Sequence, residues 1–136
     1  MLTHHTLKVY QKALALGASA EVRSASWGRR HAIVEQFRRA SESVVLNIAE
    51  GARLHSGPEK AKALDYAIGS SLECAACLDI ACLKGRLTQE QSRTEKRSFL
   101  EVTRMLIGLR KAWLPRPMSE DPHTWNSTST RHFPIA

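Results

Sequence analysis

Apolar residues recur three and four positions apart in four separate stretches of the 136-residue chain, the spacing of a helix with one buried stripe. The first stretch runs from about Thr3 to Arg23. Leu7, Tyr10, Leu14 and Gly17 are its expected stripe, with Lys8 and Lys12 off it. The second runs from about His31 to Arg53. Ile33, Phe37, Ser41, Val44 and Ile48 fill one face, and Arg39, Ser43, Leu46, Glu50 and Arg53 occupy the opposite one. The third begins at Ser56, with Glu59 at capping-box distance and Pro58 in the first turn, where its missing N–H costs nothing. It runs to about Lys84, and Gly85 is placed to end it. Thr88 caps the fourth, with Gln91 three residues on, and Phe99, Val102, Leu106, Leu109 and Trp113 form its stripe.

The third helix is unlike the others. Leu64, Ile68, Ser71, Ala75, Leu78 and Cys82 make its main stripe, yet the reverse face carries Tyr66, Gly69, Cys77 and Ile80 around a single charge, Glu73. A helix that is apolar nearly all round is buried nearly all round, and one four-helix bundle cannot bury it alone. The expectation is a homo-oligomer with Leu46, Tyr66 and Ile80 at the subunit interface. Asp65, Glu73 and Asp79 interrupt the run from Ala63 to Leu83, which argues against a membrane span. Across the break at His55–Pro58, the small residues Ala49, Gly51, Gly69, Ser70 and Ala76 are expected to let the second and third helices approach closely. The fold expected is all-α: an antiparallel up-down four-helix bundle over 1–114, followed by a C-terminal proline-rich tail over 115–136. Pro115, Pro117, Pro122 and Pro134, with the run Ser127–Thr130, mark that tail as lacking a core of its own.

Charge adds a partner class. Twenty lysines and arginines against thirteen acids leave a formal charge of +7, which suits a polyanion, nucleic acid first. Arg23, Arg29 and Arg30 share one connection, Arg38 and Arg39 follow, and Arg53, Lys60 and Lys62 border the next connection. These eight are the candidate phosphate contacts, to RNA or DNA, non-specific and salt-sensitive. Trp27 is the best candidate for stacking on an unpaired base. The fourth helix is basic away from its stripe, at Arg93, Lys96, Arg97, Arg104, Arg110 and Lys111.

Candidate chemistry is sparse. Cys74 and Cys77 have the spacing of half a zinc site, but no second half accompanies them, and small core cysteines are the preferred reading. The one Glu-x-x-His, Glu120 to His123, has Pro122 between its members. No metal, cofactor or catalytic set is expected. Asn47, Glu50, Ser70 and Glu73 are read as a structural polar network that fixes packing register, ahead of any catalytic use of Glu73. The three cysteines form no disulfide framework, and the first residues lack a signal-peptide pattern, so a cytoplasmic location is expected.

Arg38-Arg39-Ala40, Ser43, Asn47-Ile48-Ala49-Glu50-Gly51 and Ala67-Ile68-Gly69-Ser70-Ser71-Leu72-Glu73 carry a resemblance. Together with the helix lengths from about Leu7 to Trp113, they resemble the four-helix-bundle proteins encoded in intervening sequences of bacterial 23S ribosomal RNA genes. The relatives of those proteins include the accessory variability determinant (Avd) proteins of diversity-generating retroelements. The resemblance implies a homopentameric barrel of bundles. For the accessory branch it implies a basic, non-enzymatic protein that binds a reverse transcriptase and its template RNA. For the ribosomal-insert branch it implies no definite role, and the alternative reading of the chain is a structural or interaction module without a nucleic-acid role. The chain departs from the pattern at Val45, where many members have proline, in the basic segment Arg23–Arg30, and in its tail.

Overall fold

Three of the helices begin where a side chain can satisfy their first free N–H groups. The Thr3 hydroxyl accepts from the Thr6 N–H at 3.2 Å, and the Ser56 hydroxyl accepts from the Glu59 N–H at 3.1 Å. Thr88 and Gln91 exchange bonds reciprocally, at 3.1 and 3.0 Å. The computed structural model describes residues 3–28 and 32–114, and these form α1 (His4–Ala25), α2 (Ala32–Arg53), α3 (Gly57–Leu83) and α4 (Gln89–Trp113). Two connections turn on glycines with positive φ, Gly28 at 94° and Gly85 at 75°, a region that other residues enter only with strain. The expected tail, 115–136, and the candidates Arg29 and Arg30 lie outside the described residues.

The helices pack in a square, α1 on α2, α2 on α3, α3 on α4 and α4 back on α1, and across the α2–α4 diagonal only side chains meet, as Phe37 does Phe99. Ion pairs show the antiparallel sense. Asp65 meets Arg110 and Asp79 meets Lys96 between α3 and α4, while Lys12 meets Glu101 and Arg23 meets Glu95 between α1 and α4. This is the up-down four-helix bundle.

The core has two apolar halves. At one end Trp27 stacks on Phe37 at 5.3 Å between ring centroids, Phe37 meets Phe99 edge-on at 5.8 Å, and Ile33, Leu78 and Leu87 join them. At the other end Val9, Val44, Ile48, Leu64, Leu106 and their neighbours interdigitate. Between the halves lies a buried polar layer. The Ser71 hydroxyl donates to the Phe99 carbonyl at 2.9 Å, and the Thr103 hydroxyl lies 3.0 Å from Ser71 Oγ and 2.9 Å from that same carbonyl. Each polar group there has a partner, so burial costs little.

Several expectations are corrected. The buried stripe of α1 is Thr6, Val9, Ala13, Ala20 and Ser24, about one residue out of phase with the one expected; Leu7 and Leu14 remain 39% and 45% exposed. The side chains that α1 turns inward are small, and its larger leucines turn out. Of the small residues expected between α2 and α3, Gly51 is at a tight contact. A Cβ there would meet the Trp113 ring at 3.1 Å and the Ala63 methyl at 3.4 Å. Gly69 borders open space, and Ala49 and Ala76 are exposed. Cys77 is buried against the core, away from the open face of α3. Trp27 is 1% exposed, so it offers no surface to a base.

Candidate nucleic-acid interface

Of the six candidate cations among the described residues, four face a carboxylate of their own chain. Arg23 Nε donates to Glu95 at 2.6 Å, Arg38 Nε to Glu21 at 2.8 Å, and Arg39 Nε to Glu35 at 3.0 Å. Arg53 is bound to Glu50, and that bond holds the Glu50 carboxyl below its usual range. Lys60 Nζ donates to the Gly51 carbonyl at 2.9 Å and to that of Ala52 at 3.3 Å, and sits 4.6 Å from the centre of the Trp113 ring. It caps the end of α2. Lys62 is exposed and meets no acid among the described residues. A cation with a carboxylate about 3 Å away attracts a phosphate weakly, because the carboxylate repels it at nearly the same distance.

A row of free cations runs along α4. Arg93, Arg97, Arg104 and Lys111 are exposed and have no ion pair among the described residues. Their spacings of four, seven and seven place them on one stripe, and at about 1.5 Å per residue that stripe is roughly 27 Å long. Lys8 of α1 joins it; with Arg104 it acts on Glu101, whose carboxyl is held low chiefly by its bond to Lys12. The signal was present in the sequence as that periodicity, but pairing decides which cations are free, and pairing is a tertiary property. Beside the row, α3 and α4 enclose an open groove of about 920 Å³ with Leu83, Leu87 and Leu100 among its lining residues.

The polar residues expected to act together divide into three groups. Asn47 donates to the Ser43 carbonyl at 2.9 Å and to its hydroxyl at 3.0 Å, and Ser70 donates to Ser43 Oγ at 2.8 Å, which ties α2 to α3. Glu50 belongs instead to Arg53, and Glu73 accepts from Gln36 at 3.2 Å. Burial pushes the Cys74 thiol far up and that of Cys77 to about 11, so neither is a ready nucleophile. Among the described residues no cluster of His, Cys, Asp or Glu could hold a metal ion.

The residues expected at a subunit interface lie on two different faces. Tyr66 and Ile80, 58% and 41% exposed, share the outer face of α3 with Gly69, Leu72 and Ala76. Leu46, 67% exposed, lies with Leu14, Gly17 and Val45 along a groove of about 340 Å³ between α1 and α2, rimmed by Glu21 and Glu42. α3 is long and apolar enough to cross a membrane by length and composition, but its inner faces are spent on the bundle core.

Comparison with known proteins adds the following. The family model described as "23S rRNA-intervening sequence protein" matches residues 5–108. The chain is similar in fold to the crystal structure of a protein of unknown function from the S23 ribosomal protein family of Bacteroides thetaiotaomicron. The TM-score is 0.74 at 19% identity, with 79% of this chain and 98% of that one covered. No curated protein matches the chain at a significant level.

Proposed function

The chain belongs to the 23S rRNA-intervening sequence protein family, and from that premise we propose that it is a non-enzymatic, self-assembling module that binds nucleic acid through phosphate contacts. The observation that carries the binding is the row of free cations on α4, set against the paired arginines elsewhere. The row tracks a repeating backbone charge without reading sequence.

Assembly follows from the two apolar faces. They are unlike each other and lie on different sides of the bundle, so the outer face of α3 in one copy meets the α1–α2 groove of the next. Such a head-to-tail contact closes into a ring when the rotation allows. Charge supports a second copy as the occupant. Glu42 on the groove rim and Lys62 and Lys84 at the ends of the α3 face are unpaired among the described residues. The resemblance sets the expected count at five copies of the 15.2 kDa chain. In the narrower form of this proposal, an Avd-like role, the bound nucleic acid is the template RNA of a reverse transcriptase that the ring assists. The test of that form is co-purification with such an enzyme. The alternative, a structural module whose charge serves solubility, draws support from the arginines engaged in pairs.

Fluorescence anisotropy of a labelled RNA across a salt series tests the binding. The expected result is affinity that falls steeply as salt rises, with a log–log slope near −0.7 to −0.9 per phosphate contact. Absent binding at low salt, or a flat slope, overturns it.

A further inference from the structure

We propose that the α3–α4 groove makes this protein a binder of unpaired nucleotides, with bases laid on its aliphatic floor while their phosphates meet the α4 row. The inference rests on the nucleic-acid reading above and narrows its ligand. Leu83 is 86% exposed at the end of α3, and it lines the same groove as Leu100 and Leu87. Arg93, Arg97 and Arg104 line that groove too, so apolar floor and free cations are one surface. The side chain of Gln89 and the carboxylate of Asp79 supply hydrogen-bonding groups at its edge, the latter already holding Lys96 at 2.8 Å.

A duplex cannot use this surface fully. It is convex and presents sugars and phosphates outward, so it would meet the cations and leave the leucines in water. A strand with unpaired bases offers flat apolar faces within one nucleotide's reach of each phosphate. Aliphatic contact replaces the aromatic stacking usual at such sites, since Trp27 is in the core and the groove lining contains no aromatic residue. An acidic amphipathic helix would also satisfy a floor and a row. The cations, however, continue past the groove to Lys111 and Lys8, which suits a backbone that keeps going.

The experiment compares a single-stranded oligoadenylate with its duplex with oligouridylate, on the full chain, in one buffer. Charge density alone favours the duplex. The proposal expects the single strand to bind about 10-fold tighter. It also expects Leu83→Ser, a change at an exposed site, to erase most of that preference while leaving duplex affinity unchanged. Leu100→Ala should act in the same direction. Equal affinities, duplex preference, or a single-strand preference that both variants leave intact overturns the proposal while the phosphate-binding reading stands. Failure of both ligands to bind overturns both. Tighter capture of an acidic amphipathic peptide than of the single strand assigns the groove to a protein partner and overturns the proposal as well.

Discussion

α3 and α4 lie side by side, are nearly equal in length at 27 and 25 residues, and each turns part of its surface to water, yet they show the solvent opposite things. The outer face of α3 is Tyr66, Gly69, Leu72, Ala76 and Ile80, and its acids Asp65 and Asp79 are spent on α4. The outer face of α4 is Arg93, Arg97, Arg104 and Lys111, none of them in an ion pair among the described residues. An exposed apolar face costs free energy until something apolar covers it. A free cation row is well solvated and waits for a polyanion. The contrast separates two tasks on neighbouring helices: α3 holds the assembly together, and α4 holds what the assembly binds.

Breaking the α3 side has the largest expected effect. Ile80→Glu places a charge in the middle of the proposed copy-to-copy contact, where an unpaired buried charge costs several kcal/mol. Light scattering should show the mass fall to that of one 15.2 kDa chain with the helical circular dichroism intact. A wild type that is already monomeric, or a variant of unchanged mass, removes α3 from the interface. The inner side of the same helix gives the next prediction. Cys74 and Cys77 are buried with thiols pushed up, while Cys82 lies half-exposed at the groove. A thiol reagent at neutral pH should therefore label one site in the native protein and three after denaturation. Early labelling of all three would mean that the core half around Phe37 opens readily. The smallest effect sharpens the electrostatics of the α1–α4 seam. The bond from Lys12 holds the Glu101 carboxyl below the usual carboxylate range. The stability from that pairing is present above the unfolded value and is lost as pH falls through the lowered folded one. Lys12→Ala should move the Glu101 midpoint, followed by NMR, upward; an unmoved midpoint contradicts the pairing.

The fold was legible because its signals are local. Ser56, Thr88 and Gly85 mark helix ends through chemistry within three or four residues, and the stripes of α2 and α4 follow from apolar spacing alone. In α1 two stripes one residue apart both fit a spacing of three and four, and the buried one is Val9 and Ala13 where Leu7 and Leu14 were expected. Which of the two faces the bundle is set by how α1 is rotated against α2 and α4, which no local pattern encodes. Gly69 and Gly51 show the same limit: both are small, but only Gly51 has Trp113 and Ala63 against it. The candidate interface was half legible. Net charge pointed to a polyanion, yet Arg23, Arg38 and Arg39 find acids 17 to 72 positions away or four positions back. Which arginines remain free was settled only by the packing of the helices.

The most direct test removes the same charge from each region. Arg93, Arg97 and Arg104 are replaced together by alanine in one variant, and Arg23, Arg38 and Arg39 in the other, and RNA affinity is measured for both at low salt. The account predicts that the α4 variant loses about 100-fold and a salt slope of roughly two to three, while the paired set loses less than about threefold. Equal losses would mean that net charge alone attracts RNA, and a larger loss from the paired set would place the interface on the other side of the bundle.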